Sequence, residues 1–132
     1  MRIGYPGWSL EIAPNWEAQH DPECITITTS KDSGALQVSS AVKETGDITD
    51  TELLEFAAED GLEANVSPSV LGQFSGFMAA HARGSLLWHN YWLRHGSLMI
   101  FATYIVEPDR KVSEWPAIQQ MLGSLRVEPV GA

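Results

Sequence analysis

The chain has 132 residues, 44% of them apolar, which suits one domain with a single real core. Its net charge of −9 argues against nucleic-acid or anionic-membrane binding, since both need clustered cations. Cys24 is the only cysteine, so no internal disulfide can form, which fits a reducing compartment.

Taken in chain order, "MRIGYPGWSLEIAP" carries Arg2 but no apolar run behind it, so it does not read as a secretory signal. "WSLEIAP" reads as a short strand ended by Pro14. In "ECITITTS", Ile25 and Ile27 alternate with Thr26 and Thr28, the period of a half-buried strand. "KDSG" is a turn and "ALQVSSAVK" the next strand. "ITDTELLEFAAEDGLEA" then reads as a helix over Thr51 to Gly61. Thr49 and Glu52 have capping-box spacing, and Leu53, Leu54, Ala57, Ala58 and Leu62 form the apolar stripe. The polar side of that helix carries Glu52, Glu55, Glu59 and Glu63, and no Lys or Arg occurs between Lys43 and Arg83. An acidic run of this kind is a solvated face or a docking face for a basic partner. "NVSPSVLG" is a connector, and "QFSGFMAAHARG" a strand turning at Arg83-Gly84.

"LLWHNYWLRHGSLMIFATYIV", Leu86 to Val106, has about the length that spans a bilayer. However, His89, Asn90, Arg94, His95, Gly96 and Ser97 lie inside it, and polar groups at that depth cost several kcal/mol each. The stretch reads instead as two strands joined at His95-Gly96, with Arg94 opposite Ser97 and Trp92 opposite Met99. One face then carries Leu87, His89, Tyr91, Leu93, Leu98, Ile100, Ala102 and Tyr104. The other carries Trp88, Asn90, Trp92, Met99, Phe101 and Thr103. Neither is polar, so both need cover, by helices or by a partner. "EPDRK" is a connector, Ser113 caps a second helix over Glu114 to Leu122 with Pro116 in its first turn, and "LRV" closes the chain. Strand hairpins with two interspersed helices predict an α+β fold, an antiparallel β-sheet with helices packed on it, as a single domain over 1–132.

No motif names a reaction. His20-Asp21-Pro22-Glu23-Cys24 holds ligand types, but no second Cys and no His-x3-His pair completes a zinc set. His81 and His89 fall on opposite faces of neighbouring strands and cannot share a metal. No G-x-S-x-G elbow occurs, and "GQFSG" lacks the Lys and the helix of a phosphate loop. No catalytic residue, metal ligand or cofactor is therefore assigned.

Three stretches carry a family resemblance. "WSLEIAPNW", with Pro14 and Trp16, resembles the opening of PsbP-like (Mog/PsbP-like) proteins; "LRHGSLMIFATY" resembles their late strand pair; "IQQMLGSLRV", with Ser124-Leu125, resembles their closing helix. The superfamily includes extrinsic photosystem proteins, a Ran-binding import factor, bacterial lipoproteins and chaperones of type VI secretion effectors, and some immunity proteins look similar. The resemblance implies a PsbP-like fold and a non-enzymatic role in binding another protein. The lipoprotein branch fits less well, since Cys24 follows no apolar signal.

The sequence thus leads to a cytoplasmic bacterial protein-binding module: an adaptor, effector chaperone or immunity-type protein. Its candidate binding residues are Trp88, Trp92, Met99 and Phe101 on one sheet face. The alternative docking face is Glu52, Glu55, Glu59 and Glu63, and a homodimer through the aromatic face is a further option. The rival reading is a small-molecule-binding or hydrolytic enzyme with a pocket near His89.

Overall fold

The computed structural model describes residues 1–129. Ten strands and two helices run in the order β1 (Arg2–Tyr5), β2 (Trp8–Glu11), β3 (Glu17–His20), β4 (Ile25–Thr28), β5 (Ala35–Val42), α1 (Asp50–Glu59), β6 (Ser67–Leu71), β7 (Phe74–Arg83), β8 (Leu86–His95), β9 (Leu98–Val106), α2 (Pro108–Gly123) and β10 (Arg126–Val127). Seven strands form one antiparallel sheet, ordered β3-β4-β5-β9-β8-β7-β6, and β1, β2 and β10 form a smaller one. This is the α+β architecture expected, with helices packed on an antiparallel sheet.

The apolar stretch from Leu86 to Val106 is the hairpin at the centre of the large sheet. Its register differs from expectation. His95 pairs with Leu98 and Trp92 with Phe101, so the turn is Gly96-Ser97 rather than His95-Gly96. Gly96 sits at φ +59°, where a side chain is strained, and this places it as the first turn residue. The same shift occurs at the β7–β8 turn, where Arg83 pairs with Leu86 around Gly84 at φ +58°. A shift of two residues leaves every side chain on its expected face.

The two faces are covered unequally. The face bearing Tyr91, Leu93, Ile100, Ala102 and Tyr104 is closed by α2 and the small sheet, through Trp8, Leu10, Ile118, Met121 and Leu122, all at most 4% exposed. The other face is covered at one end by α1, whose Leu53 and Ala57 pack with Ile48, Leu62, Ala79, Trp92 and Met99. The capping box fixes where α1 starts: Thr49 Oγ1 accepts from the Glu52 N–H at 3.1 Å, and the Thr49 N–H donates back to Glu52 Oε1 at 3.0 Å. Arg94 of β8 holds the helix start through Asp50 at 2.5 Å.

The second helix begins earlier than its sequence suggests, at Pro108 rather than near Ser113. Pro108 occupies the first turn, where a missing N–H costs nothing. Pro116 consequently lies inside the helix, not in its first turn. "SPSVL", read as a connector, is the edge strand β6. Pro68 is tolerated there because one side of an edge strand has no partner to bond.

Candidate functional site

Helix α1 has 10 residues and so is about 15 Å long, whereas the 10-residue strands β7 and β8 extend about 33 Å. One short helix cannot cover that face. Across the sheet, Trp92 pairs with Phe101 and Phe77 in a row beneath the helix. Two steps further, Trp88 pairs with Ile105 and His81 beyond the helix's reach. Burial follows this division. Trp92 is 1% and Met99 7% exposed, Phe101 at the helix edge is half-buried, and Trp88, Ile105 and Leu86 beyond it are also only half-buried.

The four candidate binding residues therefore share one face but not one environment. Trp92, Met99 and Phe101 line a groove of about 360 Å³ between α1 and β5, together with Ser39–Ala41, Phe56, Glu59 and Asp60. A second groove of about 240 Å³ continues it, sharing Ala41, Phe56 and Met99 and adding Val42, Lys43, Ile48 and Glu52. Trp88 lies outside both, in the open half. Arg83 stacks on its indole at 4.6 Å, and His81 lies alongside at 6.0 Å. His81 Nε2 is 3.0 Å from Asn90 Oδ1, which can only accept, so this nitrogen carries the proton. The Trp88 Nε1–H is buried and has no partner among the described residues.

Phe56 is the residue sequence reading missed. It falls between stripe positions Leu53 and Ala57 and is 43% exposed at the rim of both grooves. A large aromatic on the polar side of a helix is itself the available signal. Val42, 68% exposed, borders the second groove at the end of β5.

The acidic face is divided. Glu52 is engaged in the capping box and pairs with Lys43 at 2.7 Å, which holds its carboxyl below the usual range. Glu55 and Glu59 are exposed on the helix, and Glu63 lies beyond its end. No base occurs in the last turn of α1, so Glu59 and Asp60 sit at the negative end of the helix dipole.

His89 is 4% exposed on the opposite face. Its ring lies 4.7 Å from that of Trp115 and 6.0 Å from that of Tyr104, and its Nδ1 has no partner among the described residues. Desolvation, then the positive charges of Lys111 and His81, lower its pKa to about 4. Beside it, buried Glu114 accepts from the Tyr104 hydroxyl at 2.8 Å and from the Gly34 N–H at 3.0 Å. Desolvation and that carboxylate raise the Tyr104 pKa, so the phenol stays protonated. Trp115 packs against the buried His89 ring. Among the described residues, no three His, Cys, Asp or Glu side chains are grouped to hold a metal, and no helix is long and apolar enough to cross a membrane.

No protein-family model matches the sequence, and no curated protein does. The chain is similar to a protein from Bacteroides thetaiotaomicron VPI-5482 whose crystal structure was solved at 1.50 Å. The TM-score is 0.67, with 11% identity over 92% of this chain. The match spans 45% of that protein's length, and at such identity the likeness concerns the fold alone.

Proposed function

We propose that this chain is a non-enzymatic protein-binding module of PsbP-like type, working in the bacterial cytoplasm as an adaptor, effector chaperone or immunity-type protein. The carrying observation is the half-covered sheet face, with Phe101 half-buried at the edge of α1 and Trp88 and Ile105 half-buried beyond a helix too short to reach them. Large aromatics left partly open beside a groove are the anchors protein interfaces use, because they bury much area with few rotors. Phe56 enlarges that apolar surface. An enzyme working at His89 has less support, since its ring is packed under Trp115.

The test is affinity capture from a bacterial lysate with wild type, Phe101→Glu and His89→Phe in parallel. The expected result is a protein held by wild type and His89→Phe but released by Phe101→Glu, with all three unfolding cooperatively well above the assay temperature. A turnover or small-molecule stabilisation that His89→Phe removes would instead favour the enzyme.

A further inference from the structure

We propose that the outer edge of β5, at Ser40 and Val42, accepts an extended segment of a partner protein in which apolar residues alternate with Lys or Arg. The inference rests on the protein-binding reading above and names the partner's chemistry and the way it docks.

The argument starts from unequal strand lengths. β4 has four residues and β5 eight. β4 pairs with Leu36 to Val38 and stops, whereas β9 pairs with β5 along its whole length. Among the described residues, β5 from Ser39 to Val42 therefore has a strand neighbour on one side only. At the point where β4 would continue, the chain turns away through Asp21-Pro22-Glu23-Cys24, closed by the Asp21 N–H donating to Cys24 O at 2.9 Å. The turn leaves a notch of about 560 Å³ between Pro22, Glu23, Cys24 and the two serines, Ser39 and Ser40.

The direction of the free groups follows from one hydrogen bond. The Lys43 N–H donates to Ser97 O at 2.9 Å, on the β9 side. Antiparallel ladders alternate, so Ala41 and Ser39 also bond to β9, while Ser40 and Val42 aim N–H and C=O outward. Among the described residues, no hydrogen bond reaches those outward groups. An added strand would satisfy them, the mode by which extended peptides join a sheet edge.

Side chains of such a strand would alternate between the two faces. Those on the α1 side would lie beside Ala41 and the exposed Phe56, which favours apolar residues. The charges around that patch are Glu52, Glu59 and Asp60, and its lysine, Lys43, is already paired with Glu52. Glu59 and Asp60 reinforce the negative end of the α1 dipole with no base nearby in the helix. A segment bearing Lys or Arg relieves that charge. A second copy of this chain does not, because its net charge of −9 brings the same acids to the same edge.

The experiment uses the full chain against a displayed library of random decapeptides at low ionic strength. Expected is enrichment of Val, Ile or Phe alternating with Lys or Arg. A selected peptide should slow hydrogen exchange at the Ser40 and Val42 amides. Val42→Pro removes an outward N–H without touching the β9 ladder, so it should keep the fold and weaken that peptide at least about tenfold. The pair Glu59→Lys and Asp60→Lys should weaken it as much while holding or raising the melting temperature. Absence of that pattern in the selected pool, unchanged binding by Val42→Pro, or sedimentation as a dimer that Val42→Pro dissociates would overturn the proposal. A natural partner lost by Phe101→Glu but kept by Val42→Pro would remove this mode of docking and leave the protein-binding reading standing. A partner lost by neither would remove both.

Discussion

The imidazole of His89 lies 4.7 Å, centroid to centroid, from the indole of Trp115. This contact places a titratable ring beneath a helix, with Nδ1 unpaired and its pKa lowered to about 4. Between pH 6.5 and 4 the unfolded chain then binds a proton that the folded chain refuses.

Stability should accordingly fall as pH drops through that window, by on the order of 2 kcal/mol near its lower end. His89→Phe should flatten the profile there, which urea unfolding at stepped pH would measure. Glu11, Glu52 and Glu128 have lowered pKa values and lose their contribution only at lower pH, below the usual carboxylate value. An unchanged profile in His89→Phe would show that this ring is not buried as described.

Glu114 is a second buried polar group, and its partners are Tyr104 and the Gly34 backbone. Glu114→Ala leaves both donors unsatisfied and should cost about 2 to 4 kcal/mol. Glu55→Ala, on the exposed face of α1, should change stability by less than about 0.5 kcal/mol. Denaturant midpoints of the two variants provide the comparison.

The two tryptophans of β8 should behave differently. Trp92→Ala opens a cavity under α1 and should cost about 3 to 5 kcal/mol. Trp88 is half-buried, so its truncation should cost clearly less, and acrylamide should quench its fluorescence but not that of Trp92. Equal quenching would mean that α1 does not seat as described.

Much of this arrangement is legible in the sequence because side-chain faces depend on parity. Both hairpin turns lie one residue later than the dipeptides suggest, yet the resulting two-residue register shift keeps Trp88, Trp92, Met99 and Phe101 on one face. The fold class follows from the same alternation, and the α1 start from the Thr49–Glu52 spacing. The short strands were not legible. "EAQH" has no apolar alternation, and "SPSVL" contains a proline that only an edge position admits. The groove was not legible either. It depends on how far α1 reaches along β8 and on β4 ending before β5, and no local pattern encodes such differences in length.

Charge gives a further expectation. With eight acids from Glu44 to Glu63 and no Lys or Arg among them, DNA and RNA should show no measurable binding near physiological salt. A filter-binding titration with a steep salt slope and submicromolar affinity would contradict this.

The most direct measurement is calorimetric titration of the captured partner into wild type and Phe101→Glu. The open sheet face predicts a loss of affinity of at least about tenfold for Phe101→Glu, in a protein that still unfolds cooperatively above the titration temperature. Equal affinity in the two proteins would contradict the claim that this face is where the protein works.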